Sequence, residues 1–153
     1  MLFRSWASGP AELVAAVTAA KQWLTFTSGA PLQPAVAAAL DAGDDFPSGL
    51  ARDLQAQRDQ LVGGLRAAGL TTYVPEGTYF ATTDVSELGW TSGGDFCRAL
   101  PERAGVVAIP SEVFYDDPDA PGSGRHLVRW AFCKKPEVIA EAVRRLGAAD
   151  LRA

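Results

Sequence analysis

Gly124-Arg125-His126-Leu127-Val128-Arg129-Trp130-Ala131-Phe132-Cys133 is the stretch on which the fold of this chain turns. Its apolar character predicts a core strand. The two-residue period of a strand puts Val128, Trp130 and Phe132 on one face and Leu127, Arg129 and Ala131 on the other. The large apolar side chains then pack inward, while Arg129 points across small neighbours into a cleft. A guanidinium stays ionised at any accessible pH, and its planar fork fits a carboxylate with two hydrogen bonds. Arg129 therefore calls for an anionic partner. Apart from Pro-flanked loop acids, no Asp or Glu lies within nine residues on either side. Either a distant residue of the fold pairs with it, forming a core ion pair, or a ligand does.

Working backward, residues 105–109 read as a continuous apolar strand that Pro110 ends, and residues 115–124 as a polar, Pro/Gly-rich loop. Ser92-Gly93-Gly94-Asp95 has the look of a helix start leading to Leu100. Two short strands are expected over 70–74 and 78–85, separated by Pro75-Glu76-Gly77. Before them, Leu50, Leu54, Leu61 and Leu65 recur at helical spacing, which predicts a long helix over 47–68 with Gly69 as its stop. Forward of Cys133, Lys134-Lys135 reads as a solvated loop. Pro136 then opens an amphipathic helix with Ile139, Val143 and Leu146 inward. From residue 47 the order is helix, strand, strand, helix, strand, strand, helix. That is an α+β layer, a small sheet with helices on one face.

Residues 6–45 do not belong to that pattern. A helix is expected from Pro10 to about Leu24, with Leu13, Val14, Val17, Ala20 and Leu24 on one stripe. After a break rich in Thr, Ser, Gly and Pro, a second helix starts at Gln33-Pro34. Two helices with no strand between them look like the tail of a larger unit.

At 153 residues the chain suits a single domain burying about 70% of its unfolded surface. A net charge of −4 argues against a nucleic-acid partner, which favours a basic face. No apolar run approaches the ~20 residues needed to cross a bilayer, and residues 1–5 turn polar too soon for a signal peptide. Cys97 and Cys133, far apart in the chain, read as buried, reduced thiols of a cytoplasmic protein. The single histidine, His126, leaves no room for a His-rich metal site or a Ser-His-Asp triad with a spare.

Several segments, in order and at consistent spacing, resemble the C-terminal part of fold-type I, pyridoxal-phosphate-dependent aminotransferases of class I/II. The likeness is to the kynurenine/glutamine-type and N-succinyldiaminopimelate aminotransferase branch. The segments are Trp6-Ala7-Ser8-Gly9-Pro10, Gln33-Pro34-Ala35-Val36-Ala37, Pro75-Glu76-Gly77-Thr78-Tyr79-Phe80, Val107-Ala108-Ile109-Pro110 with Phe114-Tyr115, and Val128-Arg129-Trp130-Ala131-Phe132.

The resemblance implies a non-family start at 1–5, a helical remnant of the large cofactor domain over 6–45, and the small C-terminal domain over 46–153. It implies that Arg129 binds the α-carboxylate of an amino acid or 2-oxo acid. Tyr79 is implied as a further substrate-binding residue, with Phe114 a second candidate for the pocket wall. Arg125 and His126 read as surface or strand-start residues. The cofactor implied is pyridoxal 5′-phosphate and the full-length parent a homodimer. The Schiff-base lysine of such enzymes precedes the Trp-Ala-Ser-Gly-Pro segment. The chain's lysines, Lys21, Lys134 and Lys135, do not match it, and Arg4 does not match a phosphate-binding arginine. The expectation is a truncated chain that is inactive alone. Two other readings stay open: a non-catalytic α+β module binding a carboxylate or a protein, and a fragment of a pyridoxal-phosphate-dependent C–S β-lyase.

Overall fold

The computed structural model describes residues 8–26 and 29–153. The expected non-family start with Arg4, and the Trp6-Ala7 pair, lie outside these residues. The chain divides into two compact units, Met1–Ser48 and Gly49–Ala153.

The first unit contains α1 (Ala11–Leu24) and α2 (Leu32–Leu40), close to the expected bounds. Glu12 lies in the first turn of α1 and Lys21 in its last, each complementing the helix dipole. Neither helix buries a residue, so the stripe of Leu13, Val17 and Leu24 stays exposed. The described part of this unit has no second layer to set against it.

The second unit is built on four strands: β1 (Thr71–Tyr73), β2 (Phe80–Asp84), β3 (Ile109–Pro110) and β4 (Leu127–Ala131). They form one sheet in the order β1-β2-β4-β3, with every pairing antiparallel. Three helices accompany it: α3 (Asp45–Ala67), α4 (Gly93–Ala104) and α5 (Pro136–Ala148). Helix residues Leu61, Leu65, Phe96, Leu100, Ile139 and Leu146 share one buried cluster with Ala81, Val128 and Trp130 of the sheet and with Phe132 just after β4. The helices thus cover the face that carries Val128 and Trp130, as the alternation of β4 requires. This is the expected α+β layer.

Close approaches set the spacing. A Cβ on Gly64 would stand 2.2 Å from Cγ2 of Val143, so α3 and α5 touch only because Gly64 has no side chain. A Cβ on Gly93 would stand 2.7 Å from the carbonyl oxygen of Leu127. The start of α4 therefore rests directly on the backbone of β4. Ser92 caps that helix by accepting a hydrogen bond from the Asp95 amide at 3.0 Å.

Three expectations need correction. The apolar run at 105–109 is not a continuous strand, and Pro110 belongs to the strand it was expected to end. Only Ile109 and Pro110 pair with β4, at the sheet edge, and Val107 is 79% exposed. Gly105 instead ends α4 in the left-handed region at φ 64°, and Pro110 has no amide hydrogen to extend the ladder. Next, α4 does not stop at Leu100 but runs through Pro101 to Ala104. A single helix hydrogen bond is lost there, while Leu100 is buried and Arg103 lies over the Trp90 ring at 4.9 Å. Lastly, the two free thiols are not both buried. Cys133, beyond the end of β4, is exposed, and Cys97 is half-buried.

Candidate functional site

Opposite the helices the sheet presents a half-buried open face, and Arg129 stands in its middle. Register places Thr82 of β2 on one side of it and Ile109 of β3 on the other. Both are cross-strand partners, so all three side chains share that face. Behind the strand, Val128 and Trp130 anchor β4 in the core. The Trp130 indole donates a buried 2.8 Å hydrogen bond to the Thr83 hydroxyl, which pins β4 to β2 from the core side.

Two aromatic rings meet the guanidinium. Its central carbon lies 4.0 Å from the Phe80 ring centroid and 4.6 Å from that of Phe114. Phe80 comes from β2, and Phe114 from a short 3₁₀ turn, Ser111–Phe114, that follows β3. Among the described residues no carboxylate forms an ion pair with Arg129. The ion pairs present join Arg58 to Asp59, Arg98 to Asp95, Arg125 to Asp119, and Arg144 and Arg145 to Glu141. Arg129 also lines a 630 Å³ cleft with Val107, Ile109, Lys134, Val138 and Arg145. Its walls are apolar, and its charged lining mixes Arg129, Lys134 and Arg145 with the carboxylates of Glu137 and Glu141.

Tyr79 precedes Phe80 and packs on it, ring centroids 4.5 Å apart. It therefore adjoins the arginine through Phe80, and its backbone carbonyl accepts from the Phe132 amide at 2.9 Å. Before it, Thr78 adopts a left-handed φ of 62°, an uncommon conformation for a β-branched residue. Phe114 lies at the site itself. Phe80 was not singled out by the sequence, although strand alternation over 78–85 sets it on the same face as Thr82. What links it to Arg129 is the pairing of Phe80 with Ala131, and pairing is not written locally.

The neighbouring candidates sit elsewhere. Arg125 closes the loop before β4 through Asp119 and donates to the Thr91 carbonyl at 3.3 Å. His126 is half-buried, and its Nδ1 has no hydrogen-bond partner among the described residues. Lys134 and Lys135 are exposed just ahead of α5.

A pyridoxal phosphate held covalently needs a lysine in a polar, phosphate-binding setting. Lys21, Lys134 and Lys135 are all exposed, two of them adjacent to each other. Among the described residues, these three lysines do not stand in such a setting. The described residues contain no cluster suited to a metal ion, and no helix among them is long and apolar enough to cross a membrane. What the arrangement offers is a cationic fork on a rigid sheet, with no hydrogen bond or ion pair from it to protein among the described residues.

The second unit thus presents Arg129 on one face of a four-stranded antiparallel sheet whose other face is backed by three helices. Residues 5–146 match the family "Aminotransferase class I and II", and the chain belongs to that family. It is 47% identical over 146 residues to a probable N-succinyldiaminopimelate aminotransferase of Mycobacterium tuberculosis, covering 92% of this chain and 37% of the relative. A kynurenine–oxoglutarate transaminase of Dictyostelium discoideum is 32% identical, with 90% of this chain and 35% of that protein covered. The solved structure of the M. tuberculosis N-succinyldiaminopimelate aminotransferase superposes with a TM-score of 0.83 at 48% identity, covering 94% of this chain and 36% of that one. The chain thus spans little more than a third of the length of these relatives.

Proposed function

We propose that this chain is the carboxylate-binding C-terminal third of an aminotransferase that moves an amino group between an amino acid and a 2-oxo acid. In this reading residues 46–153 form its small domain and residues 6–45 are helices of its large one. Arg129 takes the α-carboxylate, and Tyr79 contributes to the pocket wall beside it. The observation that carries the reading is a half-buried guanidinium on the open sheet face, flanked by rings and paired with no carboxylate among the described residues.

The relatives' names support the same group. N-succinyldiaminopimelate and kynurenine differ in their side chains but share the α-amino acid head. A single fork for the carboxylate therefore serves both, and it serves both halves of a transamination. The pyridoxal phosphate of the full enzyme would supply the electron sink for the bond broken at the substrate's Cα. Its lysine, its phosphate contacts and the second subunit of a homodimer would come from sequence other than residues 1–153. Without them the chain does not turn over.

The test is reduction of the chain with borohydride in the presence of pyridoxal phosphate, followed by peptide mapping. The expected result is no stoichiometric label on Lys21, Lys134 or Lys135. Specific labelling of one of them would overturn the assignment. The complementary arm joins residues 6–153 to the N-terminal two-thirds of the M. tuberculosis relative, and that hybrid should transaminate.

A further inference from the structure

We propose that Phe80 and Phe114 are positioning residues for Arg129, holding its guanidinium through their ring faces so that its N–H donors stay free for a ligand. The inference rests on the carboxylate role given to Arg129 and adds the means by which the fork is kept ready. An arginine fixed by an Asp or Glu would spend its bidentate edge on the protein. An aromatic ring offers a negative face and no lone pair in the fork's plane, so it holds the charge without occupying the donors.

The geometry is consistent on both sides of β4. Phe80 comes from the strand on one flank, where it pairs with Ala131, two residues beyond Arg129. Phe114 comes from the other flank, on the turn that continues β3, where Ile109 pairs with Arg129. Phe114 is 61% exposed, so its ring is not held in the core of this unit.

The turn that carries Phe114 is itself tied down. Ser111 is buried, and the Glu112 carboxylate reaches the first turn of α4, where a Cβ on Gly94 would lie 2.2 Å from its Oε1. An acid at that place complements the helix N-terminus. Gly94 leaves room for Glu112, and the turn that carries both Glu112 and Phe114 packs against α4.

The experiment uses the whole chain and the side-chain Nε–H signals of its arginines in a ¹H–¹⁵N spectrum, with 2-oxoglutarate as the probe. Ring currents should set the Arg129 Nε–H upfield of the other arginines. Phe114→Leu and Phe80→Leu should each move it back, whereas Phe114→Tyr should keep it. The dissociation constant for 2-oxoglutarate should rise roughly two- to fivefold in the Leu variants, the factor an exposed cation–π contact commands, and Phe114→Tyr should restore it. Backbone amide spectra report folding, and the exposed Phe114 decides the matter if Phe80→Leu unfolds. An Arg129 Nε–H that Phe114→Leu leaves in place overturns the proposal. So does unchanged 2-oxoglutarate affinity in Phe114→Leu when Arg129→Lys abolishes binding, a result that leaves the carboxylate role intact. A chain with the shifted Nε–H that binds no 2-oxoglutarate instead rejects the role of Arg129 in carboxylate capture, and with it the function given to the rings.

Discussion

Trp130 and Thr83 offer a sharp test of how β4 is held. The indole is 4% exposed and the threonine 0%, and the hydrogen bond between them is 2.8 Å long. Thr83→Val keeps the shape but leaves a buried N–H without an acceptor, a penalty of about 1–3 kcal/mol. Trp130→Phe removes the donor, strands the hydroxyl and opens a gap where the outer six-membered ring of the indole stood. The unmet hydroxyl and the partial cavity together should cost about 2–4 kcal/mol. In the double variant neither orphan remains, so its loss should fall short of the sum of the singles by about 1–2 kcal/mol, within the range seen for residues in contact. Urea unfolding followed by circular dichroism measures all four proteins on one scale. Losses that add to within about 0.5 kcal/mol would refute the idea that this bond pins β4 to β2. The functional stake is the strand's other face, where the same anchoring holds Arg129.

Further outcomes follow from the packing and the charges. Gly64→Ala should destabilise the chain by about 1–3 kcal/mol, because its new methyl would overlap Val143 across the α3–α5 contact; an unchanged urea midpoint would show that the helices separate freely. At neutral pH a thiol reagent should modify the exposed Cys133 quickly and Cys97 slowly, since burial, aided by the Glu112 charge, pushes the Cys97 thiol up to about 11. Equal rates for the two would contradict that. Hydrogen bonds from Arg144 and then Arg145 hold the Glu141 carboxyl down at about 2, against an ordinary value of 4.5. A carboxyl lowered by folding stabilises above its unfolded pKa and loses that contribution as pH falls toward 2. Carbon-13 titration should find it there, and Glu141→Gln should flatten the acid limb of stability below pH 4.5; an ordinary midpoint would refute the cluster.

The parts legible in the sequence were those that repeat locally. The β4 alternation required only a period of two and a set of large apolar residues, and the structure buries Val128, Trp130 and Phe132 while leaving Arg129 half-buried on the other face. The long leucine spacing of α3 and the Pro136 start of α5 were equally local. Residues 105–109 misled because an apolar run does not say whether its neighbours cover it. Here the run lies at an edge, after a glycine spent on ending α4. Pro101 misled in the opposite direction, since a helix tolerates one missing bond when Leu100 is buried and Arg103 rests on Trp90. Phe80 escaped notice for a different reason. Its closeness to Arg129 depends on the register between β2 and β4, strands more than forty residues apart, and the intervening sequence carries no mark of it.

Kinetics of Arg129→Lys in the hybrid enzyme, measured with two amino acids of unlike side chain, test the carboxylate role most directly. An ammonium keeps the charge but cannot present paired in-plane donors. The account predicts that kcat/KM drops at least about tenfold, equivalent to ~1.4 kcal/mol, by a similar factor for both substrates and mainly through KM. Unchanged KM, or a loss confined to one of the two amino acids, would contradict it.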